Sequence, residues 1–194
     1  MYGRFVLWIL MLYIVCGWYT PDYKRWLAPL EASLDAIGAT NITGGITWGW
    51  RLLSPGAPFT EGRSYSEEDN HKVLVLMTDG ENTYYPNGTF NKSTYGSWGY
   101  LSLSAEHFGS YITSQNAIQA RIDTRSKAAC DNIKAQTNIT IYTIAFDVNT
   151  ERGQELMQYC ASDPTKAYDA ENEEELLAAF DAIGTDISKL RLEE

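Results

Sequence analysis

Five apolar residues in a row, Val73-Leu74-Val75-Leu76-Met77, stand between His71-Lys72 and Thr78-Asp79-Gly80, and this run constrains the fold more than any other feature. A short unbroken apolar run stopped by a turn signal reads as a strand covered on both faces, which places it centrally in a parallel sheet. A second run, Ile139 to Phe146, adds the strand-favouring Thr140, Tyr142 and Thr143. Between and around these runs the apolar spacing changes to three and four residues, the repeat of a helix with one buried face.

The helical patterns run from Tyr23 to Ile37, closed by Gly38, and from about Thr43 to Leu53, stopped by Ser54-Pro55-Gly56. Others run from about Ser114 to Ala135, with Ile118, Ile122, Ala129 and Ile133 inside, from about Gln154 to Tyr159, and from Glu173 to Leu190. A short strand is expected around Lys166 to Tyr168. Two loops are expected, Gly56 to Asn70 and the long stretch from Glu81 to Ser110. Strands alternating with helices of ten or more residues imply right-handed crossovers, so the class is α/β, a three-layer helix-sheet-helix body with a mostly parallel sheet. In open sheets of this kind the working site lies beyond the carboxyl ends of the strands, where Asp79 stands.

The chain has 194 residues, enough for one domain with a single core. The expected division is an apolar N-terminal segment over 1–22 followed by a domain over 23–194. A formal charge of −10 argues against nucleic acid as a partner, since phosphate binding draws on a basic face. In the N-terminal segment, Arg4 precedes the apolar run from Phe5 to Cys16, the order of a secretory signal or signal anchor. That run is shorter than the roughly 20 residues a helix needs to span a bilayer. A buried strand or helix, or stray translated sequence, are the competing readings.

Cys16, Cys130 and Cys160 lack the close spacing of a metal or thioredoxin-type site. In an exported chain Cys130 and Cys160 are a candidate disulfide, with Cys16 left over; two buried thiols are the equal alternative. The Asn-x-Ser/Thr triplets at Asn41, Asn87, Asn91 and Asn138 read as turn and cap chemistry. Among 13 tyrosines and six tryptophans, those in the Gly- and Ser-rich stretch from Tyr84 to Tyr111 suit either a recognition loop or a cover for the core edge.

The turn Gly38-Ala39-Thr40-Asn41-Ile42, entering a helix, and the strand exit Met77-Thr78-Asp79-Gly80-Glu81-Asn82 resemble the second and third ligand loops of von Willebrand factor type A domains. Further similarity lies in Thr47-Trp48-Gly49-Trp50-Arg51-Leu52-Leu53-Ser54-Pro55, Cys130-Asp131-Asn132-Ile133-Lys134, Ile141-Tyr142-Thr143-Ile144-Ala145-Phe146 and the Leu190-Arg191-Leu192 ending. Together they resemble the C-terminal domain of TadG-like proteins of bacterial Tad/Flp pilus assembly, over about Leu27 to Leu192. The resemblance implies a binding or scaffold domain of the bacterial cell envelope, anchored or exported to the periplasm, with protein partners. It also implies a metal-ion-dependent adhesion site for Mg2+ or Mn2+, with Thr40 and Asp79 as ligands.

The family's first ligand loop, D-x-S-x-S, occurs nowhere in this sequence, so the first strand of the family is expected to be lacking and the metal site partial. A truncated chain, an opening part supplied by another polypeptide, or a domain that has given up metal would each give this pattern. Without that carboxylate and both serines, the expected hold on a hard cation is weak. The plain alternatives are Thr40 as a helix N-cap and Asp79 as a turn former.

No catalytic activity is expected. His71 and His107 are the only histidines, and neither a G-x-S-x-G nor an H-E-x-x-H pattern accompanies them. Glu171 to Glu175 reads as the acidic first turn of the last helix. The enzymatic rival is a metal-dependent phosphohydrolase using Asp79, which requires a second carboxylate or a lysine in the same crevice.

Overall fold

The computed structural model describes residues 40–84, 95, 96, 98–100, 108–110, 112, 114–136 and 138–190. The N-terminal segment, the helix expected over Tyr23 to Ile37, Cys16, His107, Asn87, Asn91 and the Leu190-Arg191-Leu192 ending as a whole lie outside them.

The first described helix, α1 (Ile42–Leu53), starts at Asn41, whose side-chain oxygen accepts the Gly44 N–H. Asn41 is thus a helix cap, as its triplet suggested, and Thr40 sits one residue ahead of the cap instead of being it. Gly49 belongs in this helix because a Cβ there would lie 2.6 Å from Leu74 Cδ1, so α1 lies almost directly on the next strand.

Strand β1 (Lys72–Thr78) buries alternate residues, and Lys72, Leu74, Leu76 and Thr78 face α1. After it come a two-residue antiparallel pair, β2 (Tyr95–Gly96) with β3 (Gly99–Tyr100), and the long helix α2 (Gln115–Lys134), capped by Ser114. Strand β4 (Ile139–Phe146) is followed by α3 (Glu151–Cys160), capped by Thr150 and beginning three residues earlier than expected. A 3-10 turn over Pro164–Lys166 leads into β5 (Ala167–Ala170) and α4 (Glu173–Leu190). Asn172 Oδ1 accepts the Glu175 N–H at 3.0 Å while the Glu175 carboxylate accepts the Glu171 N–H at 2.7 Å, so the acidic run does begin the last helix.

The sheet is parallel, in the order β1-β4-β5, with Leu74 opposite Ile141 and Ile144 opposite Tyr168. Among the described residues the middle strand is β4, not β1 as expected. β4 is also the more deeply buried of the two, whereas Val73, Val75 and Met77 of β1 are only partly covered. One core layer joins Ile42, Ile46, Leu74, Leu76, Ile133, Ile141 and Leu156 under α1, α2 and α3; the other joins Tyr142, Ile144, Ala179 and Ile183 under α4. These two layers make the three-layer α/β body that the sequence predicts.

Cys130 and Cys160 form a disulfide with Cα atoms 5.2 Å apart, tying α2 to the end of α3. Both are fully buried. No described helix is long and apolar enough to cross a membrane.

Candidate functional site

The carboxyl ends of β1 and β4 and the amino ends of α1 and α3 meet on one rim. At the exit of β1 the Thr78 hydroxyl donates to the Gly80 carbonyl at 2.9 Å and accepts the Gly80 N–H at 3.3 Å. Thr78, the neighbour of Asp79, thus bonds twice within this turn.

Thr40 is held against the same turn. Its N–H donates to Thr83 Oγ1 at 2.7 Å, and its carbonyl accepts the Thr83 N–H at 3.0 Å. Its hydroxyl lies 3.7 Å from where a Cβ on Gly80 would stand. The structure thus brings Thr40 to the residue next to Asp79, although the two lie 39 positions apart in the sequence. Asp79 itself is partly exposed.

Beneath the rim lies a polar network that sequence reasoning missed. Asn82 is 0% exposed; its amide oxygen accepts the Ile42 N–H at 2.8 Å, and its amide nitrogen donates to Asp123 Oδ1 at 2.9 Å and Ser126 Oγ at 3.1 Å. Ser126 also shares a hydrogen bond with the Thr43 hydroxyl. Asp123 Oδ2 is 3.1 Å from Arg152 Nε, and Arg152 donates to Gln119 Oε1 at 3.2 Å. The loop after β1 is therefore bonded to α1 and α2, and through Asp123 to α3. Burial pushes the Asp123 carboxyl above the ordinary carboxylate range, against the hydrogen bond from Asn82 and the Arg152 charge. The only sequence signal for this network is polar residues at inward positions of α2: Asp123 follows Ile122 and Ser126 lies one turn on.

Gly153 completes the junction. A Cβ there would meet Val148 Cγ1 at 2.6 Å and approach the Glu81 Cα at 3.6 Å, so α3 begins against the loop that carries Asp79.

Were a cation held at this rim, Thr40 and Asp79 would offer one hydroxyl and one carboxylate, oxygen donors of the right class for Mg2+ or Mn2+ but too few to close an octahedron. Among the described residues no group of three or more His, Cys, Asp or Glu is placed to hold a metal. Further ligands would have to come from outside the described residues, from water or from a partner.

The aromatic stretch is partly packing. Tyr84 is buried with Ile112, Ile118 and Ile122 in a satellite core, and Trp98 and Phe108 pack against it. The Trp98 and Phe108 rings are 5.7 Å apart with Arg125 over both. These three rings pack at the core edge; most other residues of the stretch lie outside the described set. His71 is exposed ahead of β1. Asn138 donates to the Tyr65 and Asn70 carbonyls, both at 3.3 Å, so its side chain ties the entry of β4 to the loop before β1 instead of serving the local turn or cap its triplet suggested.

No protein-family model matches the chain, and no characterised protein matches it in sequence. Among solved structures it is similar to the open conformation of the pilus adhesin SpaC from Lactobacillus rhamnosus GG. The TM-score is 0.51 at 16% identity, over 84% of this chain and 21% of that one. A second structure of the same adhesin matches at TM-score 0.48, 16% identity and the same coverage. The chain thus spans about a fifth of the adhesin's length, and the likeness is one of fold.

Proposed function

We propose that this chain is a binding domain of von Willebrand factor type A kind, belonging to a bacterial cell-envelope protein of TadG-like character that serves pilus assembly or adhesion. It recognises a protein partner at the rim formed by Thr40, Asp79 and Gly80. The observation that carries this reading is the double backbone and side-chain tie between Thr40 and Thr83, which sets the Thr40 hydroxyl beside Gly80 at the strand exit. A surface whose loops are pinned from below loses little freedom when a partner docks on it.

Two further findings support the setting. The similarity in fold to a pilus adhesin fits an adhesive role outside the cytoplasm. The buried Cys130–Cys160 disulfide fits an oxidising compartment, since such bonds form and persist in exported proteins. On this reading the domain is not an enzyme, and the membrane association is the task of the N-terminal segment.

Asp79 and Thr40 are the protein's share of a weak Mg2+ or Mn2+ site, and an acidic side chain of the partner completes it. Isothermal calorimetry with Mg2+ or Mn2+ on the wild type, Thr40→Ala and Asp79→Ala tests this. Weak heats present in the wild type and absent in both variants support the site; equal heats in all three remove the metal from the account. Magnesium-dependent hydrolysis of a phosphomonoester that is lost in Asp79→Ala would instead favour a phosphohydrolase.

A further inference from the structure

Among the described residues the exposed large apolar side chains are Trp48, Tyr159 and Leu177; Tyr159 is engaged by Asp131, Lys127 and Lys134, and the other two lie in patches of opposite charge on opposite layers of the fold. The first is on α1 and the loop after it. Trp48 is 51% exposed, the Phe59 ring meets it edge-on at 6.0 Å, and the Arg51 guanidinium lies 5.6 Å from the Trp48 ring centre. Pro55, Ala57 and Pro58 extend the patch and are exposed. A rigid pair of rings with one arginine is the composition of an interface anchor, and Arg51 is the charge at its centre.

The second patch is on α4. Leu177 is 59% exposed, and with Glu173, Glu174, Ala178 and Asp181 it lines a shallow open concavity. The inward face of the same helix is already used, by Leu176, Phe180, Ile183 and Ile187. This outer stripe therefore lies outside the core that the described residues form.

The patches also lie toward opposite ends. α1 starts at the rim, where Ile42 bonds to Asn82, and finishes at the other end, where the Leu53 carbonyl accepts from Lys72 at the start of β1. Trp48, Arg51 and Phe59 belong to its later half and the loop beyond. α4 starts at the rim end because it follows the carboxyl end of β5, and Glu173 to Asp181 are its first half.

We infer that the Trp48–Phe59–Arg51 patch of one molecule docks on the Leu177 stripe of a second copy, with Arg51 facing Glu173, Glu174 and Asp181. The charge complementarity selects this occupant. The repulsion expected between two chains of net charge −10 keeps the contact weak and makes it depend on the local Arg51 pairing. Because the two patches differ, the contact is head-to-tail, and one copy still offers its free patch to the next. The inference does not depend on the proposed function of the rim.

Sedimentation equilibrium on the full chain across micromolar to millimolar concentrations tests it. The expected result is a weight-average mass that rises with concentration, with association about tenfold or more weaker in Trp48→Ala and in Leu177→Glu. Arg51→Glu likewise weakens it, and the double variant R51E/E174R restores it. All these side chains are exposed, and matched circular dichroism melts verify that each variant is folded. A mass that stays monomeric throughout overturns the inference. So does association that these substitutions leave unchanged, the outcome expected if the apolar N-terminal segment or a different surface drives it.

Discussion

Asn82 donates to Asp123 Oδ1 at 2.9 Å across 41 positions of sequence, and with its other amide atom it accepts the first N–H of α1. One fully buried side chain thus connects the loop behind Asp79 to two helices. Replacing it with alanine strands the Asp123 oxygen and the Ile42 N–H in a dry site, at a cost of about 2–4 kcal/mol. Urea unfolding of Asn82→Ala measures this. Asn82→Asp adds a second carboxylate beside Asp123, so its loss of stability is expected to be larger at neutral than at mildly acidic pH.

Two carboxyls titrate on opposite sides of the ordinary value, and their signs differ. Asp186 accepts the Tyr142 hydroxyl at 2.6 Å and pairs with Lys166 at 3.2 Å, and these contacts, the tyrosine first, hold its carboxyl below the usual range. Its contribution to stability is present above the unfolded-state pKa and lost as pH falls through the depressed folded value. Asp123, raised by burial, contributes in the other direction: its share is full below the unfolded-state pKa and lost as pH rises through the folded value. Carboxyl-carbon NMR titration checks both, with Asp123 expected above and Asp186 below about 3.9.

The disulfide closes a sequence separation of 30, and its loss is expected to cost about 2–4 kcal/mol. The double variant Cys130→Ala, Cys160→Ala should therefore melt lower than the wild type under oxidising conditions and much closer to it in excess reductant. Because Cys160 closes α3, the loosened helix should also show faster amide exchange at its last turn than the wild type does.

Lys72 is buried at the start of β1, donating to the Leu53 carbonyl at 2.6 Å and to the Arg63 carbonyl, with the Tyr65 ring 5.1 Å away. It pins both ends of the loop that separates α1 from β1. Lys72→Met keeps the packing volume but leaves two carbonyls without this donor, an expected loss of about 1–3 kcal/mol. Limited proteolysis should then cut the loop around Arg63 sooner than in the wild type.

Local periodicity made the elements legible: the strand at Ile139 to Phe146 and the last helix at Glu173 to Leu190 have the expected bounds, because apolar spacing and the Glu-rich first turn act at short range. The closeness of Thr40 to the Asp79 turn was legible too, through a family resemblance in two motifs. What escaped was set by tertiary pairing. Nothing near Val73 to Met77 shows that β4 is the middle described strand, and nothing near Asn82 names Asp123, Ser126 or Arg152 as its neighbours. The aromatic stretch left two readings open for a related reason: rings among turn residues have the same composition whether they face solvent or, like Tyr84, Trp98 and Phe108, close a satellite core.

The most direct test of the rim as the recognition site is paramagnetic broadening by Mn2+ in amide NMR spectra of the wild type and Asp79→Ala. The account predicts that substoichiometric Mn2+ broadens the amides of Thr40, Asp79 and Gly80 first, and that Asp79→Ala abolishes this. Broadening that begins instead at Glu173 to Glu175 on α4, or that is the same in both proteins, would contradict it.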